Sequence, residues 1–239
     1  MSLFTEYLSR TAKEYGLILD EAKFAAFDRY YHLLIEWNEK INLTAITEPE
    51  EVAVKHIIDS LSCYDAAIFA TGARVADVGT GAGFPGIPLK IFQPDLKLTL
   101  LDSLNKRLVF LQQVIDELKL CDVTVLHSRA EDAGKNKSQR ESYRIVLSRA
   151  VARLNVLSEY CLPLVEKGGW FIAHKGAQYQ AELAEADKAI VTLGGKVERV
   201  IPVQLPGLSD RRAVIYIRKL NTTPLIYPRK SGMPEKKPL

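Results

Sequence analysis

Asp77-Val78-Gly79-Thr80-Gly81-Ala82-Gly83-Phe84-Pro85-Gly86 is the stretch of this 239-residue chain best suited to hold a small ligand. Glycines at 79, 81 and 83 let the backbone turn sharply and approach a ligand closely. Two features narrow that ligand. Phe84 stands at the third glycine of the G-x-G-x-x-G pyrophosphate fingerprint, and no Gly-Lys-Ser/Thr follows as in a P-loop. A diphosphate cradle is therefore disfavoured, and a ligand of adenosine joined to an amino acid fits better. Downstream, Asp102 ends the run Leu98-Thr99-Leu100-Leu101. A carboxylate there can accept both ribose hydroxyls, or it can cap a helix from Leu104 onward. The next β-rich run ends at His127-Ser128-Arg129-Ala130-Glu131, which sets Ala130 and Glu131 where an adenine ring would lie.

The elements that must position these residues follow from periodicity. After Gly72, β-rich runs at Arg74–Val78, Lys97–Leu101, Val123–His127, Tyr143–Leu147 and Trp170–His174 alternate with helix-like segments at Ser103–Leu118 and Asn155–Val165. That alternation implies an α/β fold with a parallel sheet and helices on both faces. Lys196–Gln204 and Ala213–Arg218, joined by a polar turn at Pro206–Asp210, read as an antiparallel pair at the sheet edge. A helix is expected to start near Pro85.

Residues 1–70 read as a helical extension. Phe24, Phe27, Tyr31 and Leu34 recur at helical spacing, Asp20 can cap that helix, and Thr47-Glu48-Pro49-Glu50 reads as a capping box with proline in the first turn. The expected division is therefore 1–70 helical extension, 71–220 Rossmann-like domain, and 221–239 basic tail rich in Pro and Lys.

Composition is that of an ordinary globular protein, 47% hydrophobic and 26% charged. Cys63, Cys121 and Cys161 lie far apart with no CxxC spacing, so neither a metal site nor a disulfide framework is expected, and a reducing cytoplasm suits them. No signal peptide or membrane-length apolar run is visible. Net charge is +3 but uneven. Residues 1–72 carry 6 Lys/Arg against 12 Asp/Glu, whereas 199–239 carry 9 against 2. A basic end is a modest pointer to a polyanionic partner, and equally what a solvated tail would show.

The glycine loop with its continuation Ile87-Pro88-Leu89 resembles the cofactor motif of the rRNA small subunit methyltransferase G family, also called the glucose-inhibited division protein B family. Trp37-Asn38 with Asn42-Leu43-Thr44, His56-Ile57-Ile58-Asp59-Ser60, Ser148-Arg149-Ala150-Val151-Ala152 and Tyr227-Pro228-Arg229-Lys230-Ser231-Gly232 resemble that family too, so the likeness spans nearly the whole chain. It implies a class I S-adenosylmethionine-dependent methyltransferase fold: a seven-stranded, mostly parallel sheet with an antiparallel edge strand and a helical N-terminal extension. It implies methyl transfer from S-adenosyl-L-methionine to N7 of one guanosine in the 530 loop of 16S rRNA. It also implies cofactor contacts from Gly79, Phe84, Asp102, Ser103, Leu104, Ala130, Glu131 and Arg149, to which the loop glycines Gly81 and Gly83 are added.

The residues themselves constrain the acceptor. The Asp/Asn-Pro-Pro-Tyr/Phe of exocyclic-amine methyltransferases is replaced here by Ser148-Arg149-Ala150. Cys161 sits in an apolar helical stretch and reads as core. Guanine N7 carries an in-plane lone pair and no proton, so alignment matters more than a general base. Arg149, at the fourth strand end, suits a cofactor carboxylate, a guanine edge or a surface salt bridge. Lys175, at the fifth, could meet RNA phosphate, guanine O6 or only water. His56 and Asp59 share a helix face and could close over the site or make an interhelical hydrogen bond. Arg199, Arg211, Arg212, Arg218, Arg229 and Lys230 are candidate phosphate contacts, together with Lys236 and Lys237, and Tyr227 offers a stacking face. The partner implied is 16S rRNA, alone or in a small-subunit particle, acted on by a cytoplasmic monomer. The alternative is an enzyme of the same fold acting on a small molecule or a protein.

Overall fold

The computed structural model describes residues 2–239. Seven strands form one sheet in the order β3-β2-β1-β4-β5-β7-β6: β1 (Arg74–Val78), β2 (Lys97–Asp102), β3 (Val123–His127), β4 (Tyr143–Arg149), β5 (Val165–Lys175), β6 (Gly195–Pro202) and β7 (Ala213–Lys219). The first five pair in parallel, and β7 runs antiparallel to both β5 and β6. The strand–helix alternation and the terminal antiparallel pair therefore stand as expected. The order reverses between β1 and β4, and ligands of such sheets bind at the strand ends beside that reversal.

Two helical layers cover the sheet. One holds α1 (Leu3–Glu14), α2 (Glu21–Asn38), α5 (Gly86–Phe92) and α6 (Asn105–Glu117). Leu8, Phe27, Leu33, Ile87 and Leu111 share one buried cluster there with Val75, Leu98 and Leu100 of the strands. The N-terminal helices are thus continuous with the core of that face. The other layer holds α7 (Ala130–Ala133), α8 (Leu154–Cys161) and α9 (Tyr179–Thr192), with Leu157, Cys161, Ala186 and Ile190 packed on Val146 and Phe171.

Local chemistry sets the helix ends. Asp20 caps α2 by accepting from the Lys23 amide at 2.8 Å. At the far end the Asn38 side-chain oxygen accepts from the Leu43 and Thr44 amides at 2.8 and 2.9 Å, which folds the connecting loop back. The capping box expected at Thr47 does not form. Glu48 is the N-cap of α3 (Pro49–Val52) and no side chain caps it, although Pro49 does open the helix. This helix continues through a π-helical segment, Ala53–Ile58, into α4 (Asp59–Leu61). Such widened turns occur often at functional sites, and this one carries His56 and ends at Asp59.

Other boundaries shift. The segment read as helix to Val165 is α helical only to Cys161; a 3-10 turn, Leu162–Leu164, follows and Val165 opens β5. Residues 221–239 are not a loose tail. Thr223, Pro228 and Pro234 are buried, and a short helix, α10 (Met233–Lys236), docks near α8.

Candidate active site

Two cavities open at the carboxyl ends of the strands and meet at Ala150. Ala150 follows β4 and has φ +57°. That left-handed conformation is disfavoured for a residue with a Cβ, and such strain collects at functional sites.

The first cavity, about 300 Å³, lies over β1, β2 and β3. The loop between β1 and α5 forms one side. Its Gly79 and Thr80 amides donate to the Leu101 carbonyl at 2.9 and 3.1 Å, tying it to the tip of β2. Asp77 clamps the loop from beneath: it accepts from the Thr80 hydroxyl at 2.7 Å and the Gly86 amide at 2.9 Å. Burial outweighs these bonds and pushes the Asp77 carboxyl up to about 6. Gly79 has φ +69°, and a Cβ there would lie 2.5 Å from Val151 Cγ2. At Gly83, φ is +100° and a Cβ would lie 2.8 Å from the Tyr30 hydroxyl oxygen. These two positions need glycine.

Two buried carboxylates face this cavity. Asp102, only 2% exposed, accepts from the Leu104 amide at 2.9 Å through Oδ1 and from the Gly81 amide at 3.0 Å through Oδ2. Arg107 pairs with it at 3.3 Å. Glu131, 4% exposed, accepts from the Gly232 amide at 2.9 Å. Among the candidates named from sequence, Gly79, Asp102, Ser103, Ala130 and Glu131 line this cavity. Gly81 and Leu104 brace Asp102 through their amides, and the Gly83 amide closes a turn onto Thr80. Phe84 is turned away, stacked on His56 with ring centroids 4.4 Å apart.

The second cavity, about 320 Å³, lies between β4, β5 and the start of β7. Asp59 sits in its wall and bridges two arginines, Arg149 at 2.7 Å and Arg212 at 2.8 Å. Burial alone would raise the Asp59 carboxyl, but Arg149, His174 and the two arginine hydrogen bonds hold it below the ordinary carboxylate value. Arg149 also donates to the Lys55 carbonyl at 3.0 Å and to His56 Nδ1 at 3.2 Å, and its guanidinium lies over the Phe84 ring. His56 Nε2 meets the Thr44 hydroxyl at 2.8 Å. Burial, with the Arg149 charge, drives His56 down to about 3. Lys175 is paired with Glu182 at 2.6 Å and donates to the Ala152 carbonyl at 2.7 Å.

Arg149, Asp59 and Lys175 thus line one cavity, on the other side of Ala150 from the first, with His56 behind Arg149. Three ionisable residues of this wall, Arg212, His174 and Glu182, are not placed here by the sequence. Arg212 was grouped with the phosphate contacts. His174 was unremarked because one buried histidine in an apolar strand has no pattern. His174 is buried, its Nε2 has no hydrogen-bond partner among the described residues, and burial drives it down to about 4. The remaining basic candidates differ in freedom. Arg199 pairs with Asp65 at 2.7 Å, Arg218 lies over Trp170, and Arg229 pairs with Glu159 at 2.6 Å. Arg211 and Lys230 are exposed and, among the described residues, have no ion-pair partner.

The family model described as rRNA small subunit methyltransferase G matches residues 23–212. A protein named ribosomal RNA small subunit methyltransferase G from Desulforamulus reducens is 53% identical over 100% of both chains. One of the same name from Alkaliphilus metalliredigens is 51% identical over 95% of each. Among solved structures, the 16S rRNA (adenine(1408)-N(1))-methyltransferase of Catenulisporales acidiphilia, with cosubstrate SAM, superposes with a TM-score of 0.51 at 12% identity, covering 66% of this chain and 90% of that one. TYW2 of P. horikoshii in complex with MeSAdo gives 0.54 at 15% identity, covering 68% and 62%. These likenesses show the fold alone. The architecture is that of a class I methyltransferase with S-adenosylmethionine as cofactor, and the chain belongs to the rRNA small subunit methyltransferase G family.

Proposed function

We propose that this methyltransferase transfers the methyl group of S-adenosylmethionine to N7 of a guanosine in the 530 loop of 16S rRNA. The first cavity would hold the cofactor and the second the target base. The donor set of the first cavity suits that cofactor. Asp102 and Glu131 offer acceptors to ribose hydroxyls and an adenine amine, and they would repel a diphosphate. The bound cofactor supplies an electrophilic methyl group on a sulfonium. Around it, the chain's residues orient and exclude water.

One observation carries the N7 reading: among the described residues, the carboxylate and histidines at and behind the second cavity are held away from values suited to taking a proton at neutral pH. Asp59 is held ionised between two arginines, Lys175 is paired, and His56 and His174 are pulled down to about 3 and about 4. A general base works best with a value near the operating pH. Guanine N7 needs none, so alignment across Ala150 suffices. The target base must leave its stack to enter, at a cost of a few kcal/mol. Arg211 and Lys230, exposed and without an ion-pair partner among the described residues, are free to hold phosphates. No helix among the described residues is long and apolar enough to cross a membrane, and the enzyme is taken to act as a cytoplasmic monomer.

Mapping 7-methylguanosine in 16S rRNA from cells with and without this protein tests the reading. Loss of one modified position in the 530 loop is expected. An unchanged map refutes it, and methyl transfer to protein or metabolite fractions instead would favour a different acceptor class.

A further inference from the structure

Residues 227–236 are fastened to α8 by an ion pair whose carboxylate is buried. Glu159, on α8, is completely buried, yet it is a carboxylate. Arg229 satisfies it from three donors: its amide at 2.8 Å, Nε at 2.9 Å and Nη2 at 2.6 Å. A buried carboxylate stripped of such a partner is strongly destabilising, so this pair anchors the segment. Three residues on, Gly232 takes φ +79° and turns its amide to Glu131 Oε1 at 2.9 Å. Then Glu235 accepts from the Tyr160 hydroxyl at 3.2 Å. Gly232, Glu235 and Tyr160 all line the first cavity, alongside Glu131 and Asp102.

We infer that residues 227–236 are a strap that completes the cofactor site, with Arg229 as its positioning residue. Arg229 does not touch the cavity; it acts through Gly232. Gly232 occupies Glu131 Oε1 and leaves Oε2 without a hydrogen-bond partner among the described residues. The carboxylate is thereby fixed to offer one acceptor to the adenosine half of the cofactor. Glu235 adds a third carboxylate to a wall facing a ligand with a sulfonium and an ammonium group, and favours it over a neutral or anionic analogue. A strap docked by a buried ion pair cannot also lend Arg229 to RNA phosphates. This inference rests on reading the first cavity as the cofactor site.

The test is cofactor binding by the full chain, measured calorimetrically with S-adenosylhomocysteine and S-adenosylmethionine, beside RNA affinity across a salt series. Arg229→Gln is expected to weaken cofactor binding about tenfold, as loss of one charge-assisted contact would, and to raise the cofactor KM more than it lowers kcat. Arg229→Lys should recover part of the loss, and RNA affinity and its salt slope should stay unchanged. Glu235→Gln, at an exposed position, should weaken S-adenosylmethionine more than S-adenosylhomocysteine. In the unaltered chain, saturating S-adenosylhomocysteine should slow amide exchange across 227–236, which needs no variant to fold. Unaltered exchange there overturns the strap, as does an Arg229→Gln protein that binds cofactor normally but loses RNA affinity. Asp102→Ala separates the two readings. If it alone weakens binding, the strap is wrong and the cavity stands; if neither variant does, the cavity reading itself fails.

Discussion

Asp59 and Arg149 are 2.7 Å apart across the seam between the helical N-terminal layer and the tip of β4, which are 90 residues apart in sequence. Arg212 joins the same carboxylate from the start of β7. Three segments distant in the chain therefore converge on one buried charge. Arg149 also covers Phe84 and meets His56, which ties the glycine loop and the π-helical turn to the second cavity.

Removing the central carboxylate should show this. Asp59→Ala leaves two arginines facing each other in a largely buried place and is expected to cost about 3–5 kcal/mol of folding stability. Asp59→Asn should cost less and still impair activity, since Arg149 and Arg212 lose their common anchor. The pH dependence follows from the lowered Asp59 value. A depressed carboxyl contributes stability above its unfolded value and loses it as pH falls through the folded one. The stability gap between the native chain and Asp59→Asn should stay constant from pH 8 to 5 and close below about pH 4. Urea titrations across that range measure it, and a gap that widens in acid would contradict the pairing.

His174 gives a slope of the same sign in a higher pH window. Burial drives it down to about 4; Asp59 pulls upward and Arg149 and Arg212 push further down. Between its unfolded value near 6.5 and the folded one, the unfolded chain holds the extra proton. Stability contributed at this site is therefore lost as pH falls through that window. Among the described residues its ring nitrogen Nε2 has no partner to lose, so His174→Leu should fold. Relative to the native chain, it should be more stable by roughly 2 kcal/mol at pH 5 than at pH 7.5. Equal differences at both values would mean that the histidine is not held neutral.

These clusters also mark where the sequence stops speaking. The loop from Gly79 to Gly86, the strand tips and their order are local patterns, and backbone geometry forces them into view: positive φ at Gly79 and Gly83, and a carboxylate ending β2. Charge is visible locally too, but its partner is not. Arg229 reads as a phosphate contact because its countercharge, Glu159, lies 70 residues away, and Arg212 does so because, besides the neighbouring Asp210, its buried partner Asp59 lies 153 residues away. Only the packing of α8 and α4 brings each pair together. For the same reason the terminal segment reads as a tail, since nothing within 221–239 reveals that Gly232 bonds Glu131. Phe84 is a mixed case. Its place in the loop ruled out a third glycine, whereas its stacking on His56 depends on the helical layer.

Arg211 separates exposed from paired basic residues. It is solvent-facing and has no ion-pair partner among the described residues, whereas Arg199 is held by Asp65. Arg211→Ala should reduce the salt slope of RNA binding by about one unit, as expected for one lost phosphate contact, and weaken binding evenly across RNA sequences. Arg199→Ala should change the slope less, because its charge is already partly neutralised. Cofactor affinity should be the same in both. A larger loss at Arg199 than at Arg211 would place the RNA path along β6 instead.

Asp102 carries the last prediction, and its two oxygens make it sharper than a simple deletion. Oδ1 takes the Leu104 amide and Oδ2 the Gly81 amide, so the carboxylate both braces the loop and faces the first cavity. Asp102→Asn keeps the size, but its NH₂ can only donate. One loop amide or one ribose hydroxyl must then lose its acceptor. Asp102→Ala removes both. Hydrogen bonds to a charged group contribute about 1.5–3 kcal/mol each, so Asp102→Ala should weaken cofactor binding by about 10- to 100-fold or more, with Asp102→Asn between it and the native chain. RNA affinity should hardly move, because Asp102 is almost wholly buried and faces the first cavity. Calorimetric cofactor titration and a filter-binding RNA assay on the same preparations decide it. Were RNA binding to collapse while cofactor binding held, Asp102 would be organising the RNA surface and not the ribose.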